Sequence, residues 1–161
     1  MDKLSMTLTT SDLPILTFTC SSIEEYATFF SALESKAIDL PKVWCLDGAM
    51  GAGKTTVLTA YGKYKGFLEQ VTSPTFSLVN EYRDAKGNVY YHFDFYRIKN
   101  EREAFEIGTE EYLYSGNICW VEWYTLIPSL LPESYLLFTI RVVDSSTRTI
   151  TVTLYENKNR S

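Results

Sequence analysis

Apolar residues come along this chain in short runs between polar turns, and the spacing within each run points to an element. Residues Ile15 to Cys20 read as a short strand, and "SSIEEYATFFSALESKA" reads as a helix capped by Ser21 or Ser22, with Ile23, Ala27, Phe30 and Leu33 recurring near helical spacing. Pro41 ends the connector, and "VWCLD" from Val43 to Asp47 is an unbroken apolar run of the kind that forms a buried strand. A helix follows from Lys54 to about Lys65, with Gly66 as its stop. "FSLVNEYR" and "NVYYHFDFYR" are predicted strands joined at "DAKG", a turn with glycine where a positive φ is expected. Alternation in the second of these puts Tyr90, His92, Asp94 and Tyr96 on one face and Tyr91, Phe93, Phe95 and Arg97 on the other. "NEREAFEIGTEEYL" reads as a helix with Asn100 as its cap, and "NICWVEW" as a second buried strand ending in an acid. Finally, "SYLLFTIRVV" and "RTITVTLYE" flank "DSST" as an antiparallel hairpin.

The first third of this order is α/β and the remainder adds antiparallel strands, so a mixed parallel and antiparallel sheet flanked by helices is expected. The chain has 161 residues and shows no repeat, low-complexity tract or linker, which fits a single domain with its own core. The first ~12 and last ~6 residues are expected to be disordered. Apolar residues make up 45% and aromatics 15%, a globular composition. The net charge of −5, with no lysine or arginine cluster, argues against unaided binding of RNA or DNA. Cys20, Cys45 and Cys119 form no CxxC pair, an odd count that points to a reducing compartment and small core residues. With no membrane-length apolar run and no signal-like N-terminus, a cytoplasmic protein is expected.

Chemistry enters between the first buried strand and its helix. Gly48, Gly53, Lys54 and Thr55 satisfy G-x-x-x-x-G-K-[ST] in "GAMGAGKTT". Small residues let successive backbone N–H groups curl around a phosphate, and Gly51 adds another position with no Cβ in the way. Lys54 can set its ammonium on the β- and γ-phosphates, the Thr55 hydroxyl can ligate Mg2+, and the helix N-terminus faces the same anion. The alternative is a glycine-rich turn with an incidental lysine. The required strand, loop and helix context is present, so the segment reads as the nucleotide site of a P-loop NTPase-like domain.

Such a loop needs an acid near the end of a neighbouring strand to complete the magnesium shell. Glu122, ending "NICWV", and Asp94, in "YHFDFYR", are both candidates. His92, the single histidine, reads first as a structural residue. In "SPTF", Thr75 is placed where a switch-like hydroxyl could sense a γ-phosphate, against the plainer reading of a Ser-Pro turn. "NKNR" lacks the aspartate that would read a guanine edge, and "DAKG" is better explained as turn chemistry than as a D-x-x-G switch, which leaves ATP and ADP as the expected nucleotides.

Taken in order and at these spacings, "GAMGAGKTT", "SPTFSLVNEY", "HFDFYR" and "VEW" resemble the TsaE (YjeE) family from about Ser21 to Pro132. The resemblance implies a small P-loop α/β fold that binds ATP with Mg2+ and works with the TsaD and TsaB proteins on threonylcarbamoyladenosine modification of tRNA. In that scheme TsaD carries out the transfer to tRNA, and hydrolysis by the TsaE protein resets the complex. It implies nucleotide binding by Gly48, Ala49, Met50, Gly51, Ala52, Gly53, Lys54, Thr55 and Thr56, and a metal held by Thr55 and Glu122. Asp94 and Thr75 match positions that assist metal or water placement, so Lys54, Asp94, Thr75 and Glu122 form the implied catalytic set. "SSIEEY" matches the region near the adenine, with Tyr26 where the family usually has threonine, and Tyr124 stands where members often have proline. Contact with tRNA would then be indirect, through the partner proteins. Two rivals to a partner-stimulated ATPase remain from sequence: a small-molecule P-loop kinase and a non-hydrolysing interaction module.

Overall fold

The computed structural model describes residues 14–36, 38–49, 51–74 and 77–156. The expected terminal disorder falls outside the described residues, as do Met50 and Thr75 of the sequence-derived site. Strands β1 (Pro14–Cys20), β2 (Val43–Asp47), β3 (Val79–Arg83), β4 (Val89–Asp94), β5 (Ile118–Glu122), β6 (Ser134–Val142) and β7 (Arg148–Glu156) make one sheet in the order β1-β7-β6-β2-β5-β4-β3. The centre is parallel, with β2 between β5 and β6, and β4 beside β5. Both flanks are antiparallel: β3 on β4, and the ribbon β6, β7, β1. The sheet is therefore mixed, as the element order predicts.

Alternation along the central strands divides the core into two layers. Trp44, Leu46, Trp120, Leu136 and Phe138 face helices α1 (Ile23–Glu34) and α2 (Lys54–Lys65). Val43, Cys45, Cys119 and Val121 face the other way, against Ala104 of α3 (Glu101–Glu106) and Leu113 of α4 (Thr109–Leu113). The first layer is aromatic. Phe30 meets the rings of Phe29, Tyr61 and Trp120 at centroid distances of 5.0, 4.9 and 6.4 Å. Pairs of this kind add directional preference to plain area burial and so fix how α1 and α2 sit on the sheet. All three cysteines are buried and free, and burial pushes the Cys20 thiol up to about 11 and Cys119 to about 12. They are packing residues. Among the described residues, no helix is long and apolar enough to cross a membrane.

Three sequence expectations need correction. In α1 the buried stripe is Tyr26, Phe29, Phe30 and Leu33, whereas Ile23 is 39% exposed and Ala27 lies outside. Both stripes obey helical spacing, and the larger aromatic side chains take the core. The helix also stops at Glu34, with Ser35 as its C-cap. "NEREAFEIGTEEYL" is two short helices, because Gly108 at φ 82° turns the chain between them. Asn100 caps the first by accepting from Glu103 N. The strand in "NICWVEW" ends in its acid, Glu122, as expected, where Trp123 takes φ 60°.

The "DAKG" hairpin is turn chemistry, as expected. Gly87 sits at φ 88°, and the Asp84 carboxylate accepts from Asn88 Nδ2, Asn88 N, Lys86 N and Tyr90 OH at 2.9, 2.9, 2.9 and 3.0 Å. These donors, the Asn88 side chain foremost, hold the Asp84 carboxyl down from its ordinary 3.8 to about 2. A carboxyl lowered on folding stabilises the protein above its unfolded value, and that contribution disappears as pH falls through its folded value. Thermal melts between pH 5 and about 2 should therefore show a steeper loss for the parent than for Asp84→Asn. Equal slopes would show that the turn contributes nothing to acid sensitivity.

Candidate functional site

The candidate nucleotide site is built at the carboxyl ends of the central parallel strands, where open α/β sheets place their ligands. β2 leads out through Asp47 into the loop, and α2 begins at Lys54 with Gly53 as N-cap at φ 106°. Gly51 takes φ 81°. Positive φ at both glycines turns the backbone in a way that L side chains resist. The first turn of α2 carries no acidic residue, so no carboxylate of that turn offsets its free N–H groups and positive dipole end.

The loop is also clamped from behind. Arg148, on β7, donates from Nε to the Ala52 carbonyl at 2.7 Å and from Nη1 to the Asp144 and Thr147 carbonyls at 2.8 and 3.1 Å. A Cβ on Gly53 would lie 3.3 Å from Arg148 Nε, and one on Gly48 would lie 3.2 Å from both Ala52 Cβ and the Ile140 carbonyl oxygen. These two glycines thus admit close packing of the loop against β6 and β7. Arg148 escaped the sequence reading. It lies 96 residues from Ala52 in an ordinary strand pattern that holds no signal for the contact.

Register brings the acids to the loop. Leu46 of β2 pairs with Glu122 of β5, and Glu122 pairs in turn with Asp94 of β4. Glu122 therefore ends the strand beside the one that launches the loop, and Asp94 ends the next strand out. Glu122 is 7% exposed and contacts His92, itself 3% exposed, at 2.7 Å between Oε2 and Nε2. Asp94 accepts from Tyr96 N at 3.0 Å, which shapes the turn after β4. Lys54 Nζ stands 5.2 Å from the Trp123 ring centroid, and Trp123 packs on Tyr96 at 5.1 Å. Lys54 and the residue after Glu122 are thereby in contact. Among the described residues, the non-glycines at positive φ are Trp123 and Leu78, whose carbonyl accepts from Asp94 N at 3.1 Å. Both border the site, where backbone strain commonly concentrates.

Two clefts flank this centre. One, of about 230 Å³, is lined by Cys20, Ser22, Tyr26, Thr56 and Arg148 among others; it joins the start of α1 to the first turn of α2. The other, of about 160 Å³, is lined by Ser73, Pro74, Asp94, Tyr96 and Arg97. A larger cleft, about 450 Å³ with Lys42, Gly116 and Ser134 on its wall, lies at the starting ends of β2, β5 and β6, away from the phosphate loop. Thr55, at the second position of α2, is exposed to solvent. The donors expected to hold Mg2+, a hydroxyl and a carboxylate, are hard oxygens suited to that ion. No group of three or more His, Cys, Asp or Glu side chains that could hold a metal occurs among the described residues.

The match to the family model described as "Threonylcarbamoyl adenosine biosynthesis protein TsaE" runs over residues 20–150. This chain belongs to the TsaE family. It is 37% identical to the tRNA threonylcarbamoyladenosine biosynthesis protein TsaE of Bacillus subtilis over 72% of this chain and 72% of that one. The TsaE protein of Treponema pallidum is 36% identical over 66% of this chain and 78% of the relative. Among solved structures, Bacillus subtilis YdiB matches at TM-score 0.62 and 30% identity, covering 90% of this chain and 87% of that one. The family match takes in the phosphate loop, Asp94, Glu122 and the clamping Arg148 alike.

Truncating the clamp tests how the TsaE loop is held. Arg148→Ala leaves the Ala52 carbonyl without its charged donor, a loss of about 1–3 kcal/mol. Urea unfolding should show this, and amide exchange of residues 48–53 should accelerate beyond that of α2. Unchanged loop exchange would mean that the loop holds its shape without Arg148.

Proposed function

We propose that this chain is an ATP-binding and ATP-hydrolysing member of the TsaE family that acts on a complex of TsaD and TsaB in tRNA threonylcarbamoyladenosine biosynthesis. The observation that carries the proposal is the convergence at one sheet end of the glycine loop, Lys54 and the buried Glu122 carboxylate. Phosphoryl transfer needs positioning and charge neutralisation more than covalent help, and this arrangement supplies both.

In the proposed cycle the loop amides and the N-terminus of α2 hold the phosphate oxygens. Lys54 leaves the Trp123 ring for the β- and γ-phosphates, exchanging a weak cation–π contact for a charge-assisted one. Thr55 and Glu122 would hold Mg2+, which when bound supplies charge neutralisation between the β- and γ-oxygens. Asp94, one strand beyond Glu122 and on the wall of the cleft with Arg97, or Thr75 would orient the attacking water. The cleft between Tyr26, Thr56 and Arg148 is offered as the base pocket; Tyr26 closes it where the family usually has threonine.

The exposed aromatic Tyr96, 52% accessible and packed on Trp123, lies beside the nucleotide site and suits a protein partner. The acidic chain, with a sequence pI near 4.9, fits tRNA being held by partners. The kinase alternative loses support at α3 and α4. Ala104 and Leu113 anchor that segment to the sheet face opposite α2, and its arginine, Arg102, is exposed near Glu106.

Lys54→Ala should weaken ATP binding by at least about tenfold in calorimetry, since it removes one partner of a charged contact. Phosphate release by the purified chain should be slow and should rise when TsaD and TsaB are added. An arginine or other cation donated by a partner can raise such rates by ~10³–10⁵. Equal rates with and without the partners, or phosphate appearing on an added small-molecule acceptor, would overturn the proposal.

A further inference from the structure

We infer that His92 is a positioning residue for Glu122: its imidazole holds one carboxylate oxygen so that the group stays oriented and available to a cation. This rests on the reading of Glu122 as a magnesium ligand.

The geometry is specific. His92 and Glu122 project from neighbouring strands on the face that also carries Trp120, whose register partner is His92. Nε2 of His92 lies 2.7 Å from Oε2 of Glu122, and both residues are buried. The Tyr82 ring stacks on the imidazole at 6.5 Å and 24°, which holds the ring plane. His92 Nδ1 is buried with no partner among the described residues. If the proton sat on Nδ1, a buried N–H would go unpaired, and two lone pairs would face each other at 2.7 Å. With the proton on Nε2, the carboxylate gains a donor and Nδ1 keeps a lone pair, the less expensive group to leave alone. The contact therefore reads as Nε2–H donating to the Glu122 carboxylate.

The choice of a histidine follows from electrostatics. A carboxyl group this deeply buried needs a hydrogen-bond partner. Lysine or arginine would satisfy it but would also cancel its charge and compete with an incoming cation. A neutral imidazole donates without neutralising. Outer partners of this type orient metal-binding groups, and their loss typically lowers metal affinity about 10–100-fold.

The test uses ADP as probe, titrated calorimetrically with Mg2+ and again with EDTA, for the parent, His92→Ala, His92→Gln and Glu122→Gln. His92→Ala should lower the metal-dependent part of the affinity about 10–100-fold while leaving binding in EDTA unchanged. His92→Gln, whose amide can still donate, should recover part of the loss. As His92 is the single histidine, its ring nitrogens can be read directly by ¹⁵N NMR in the parent, which should show Nε2 protonated and Nδ1 not. Equal losses with and without metal in both His92 variants would reduce His92 to a structural residue and overturn the inference, as would an Nδ1-protonated ring. A metal-dependent gain lost in Glu122→Gln but intact in His92→Ala would overturn this inference alone. A gain intact in Glu122→Gln would remove the reading of Glu122 beneath it.

Discussion

The parallel pairing of β2 with β5 is the constraint on which the site depends. It sets Leu46 beside Glu122, so the strand that feeds the phosphate loop and the strand that ends in a carboxylate terminate together. The pairing is held by what lies above and below it. Trp44 and Trp120 meet at 5.1 Å on the α1 and α2 face, while Cys45, Cys119 and Val121 fill the other. A slip of one residue would turn Trp120 out of the aromatic layer and move Glu122 to the opposite face. Packing of the core and placement of the acid are thus one specification.

Around that pairing, charge is arranged with little cancellation. The first turn of α2 has no acid, Lys54 rests on an aromatic ring and not on a carboxylate, and Glu122 is satisfied by an imidazole. Lys54 and Glu122 are each paired with a ring, without an opposite full charge on that partner. Under the proposed function, a ligand carrying phosphates and a divalent cation would displace a cation–π contact and engage a carboxylate already oriented. Arg148 is the exception. Its guanidinium is committed to three backbone carbonyls and serves the shape of the loop.

Family membership and geometry bear on different links of the chain of inference. Membership rests on likeness along residues 20–150 and ties the chain to proteins named for threonylcarbamoyladenosine biosynthesis. The geometry speaks to chemistry: a glycine-rich loop at a helix N-terminus, a lysine over an aromatic ring and a buried acid at one end of a mixed sheet. The exposed Tyr96 packs on Trp123, which in turn carries Lys54, so contacts run from the loop's lysine to the surface.

What the sequence determined alone was whatever chemistry is contiguous. The phosphate loop, the Gly66 stop, the Asn100 cap and the Asp84 turn each depend on neighbours within a few residues, because dihedral preference and local hydrogen bonds are set at that range. Periodicity gave the strands and most of the helices. It failed where two stripes were equally periodic, as with Ile23 and Tyr26, and where a single glycine, Gly108, cut a helical pattern. The motif likeness put Glu122 forward, but only the folded sheet supplied its neighbours. His92 lies 30 residues from Glu122, Arg148 lies 96 from Ala52, and Lys54 reaches Trp123 across the sheet end. Strand order and register create such contacts, and they are fixed by burying both faces of the whole sheet at once, a global condition that no short window of residues contains.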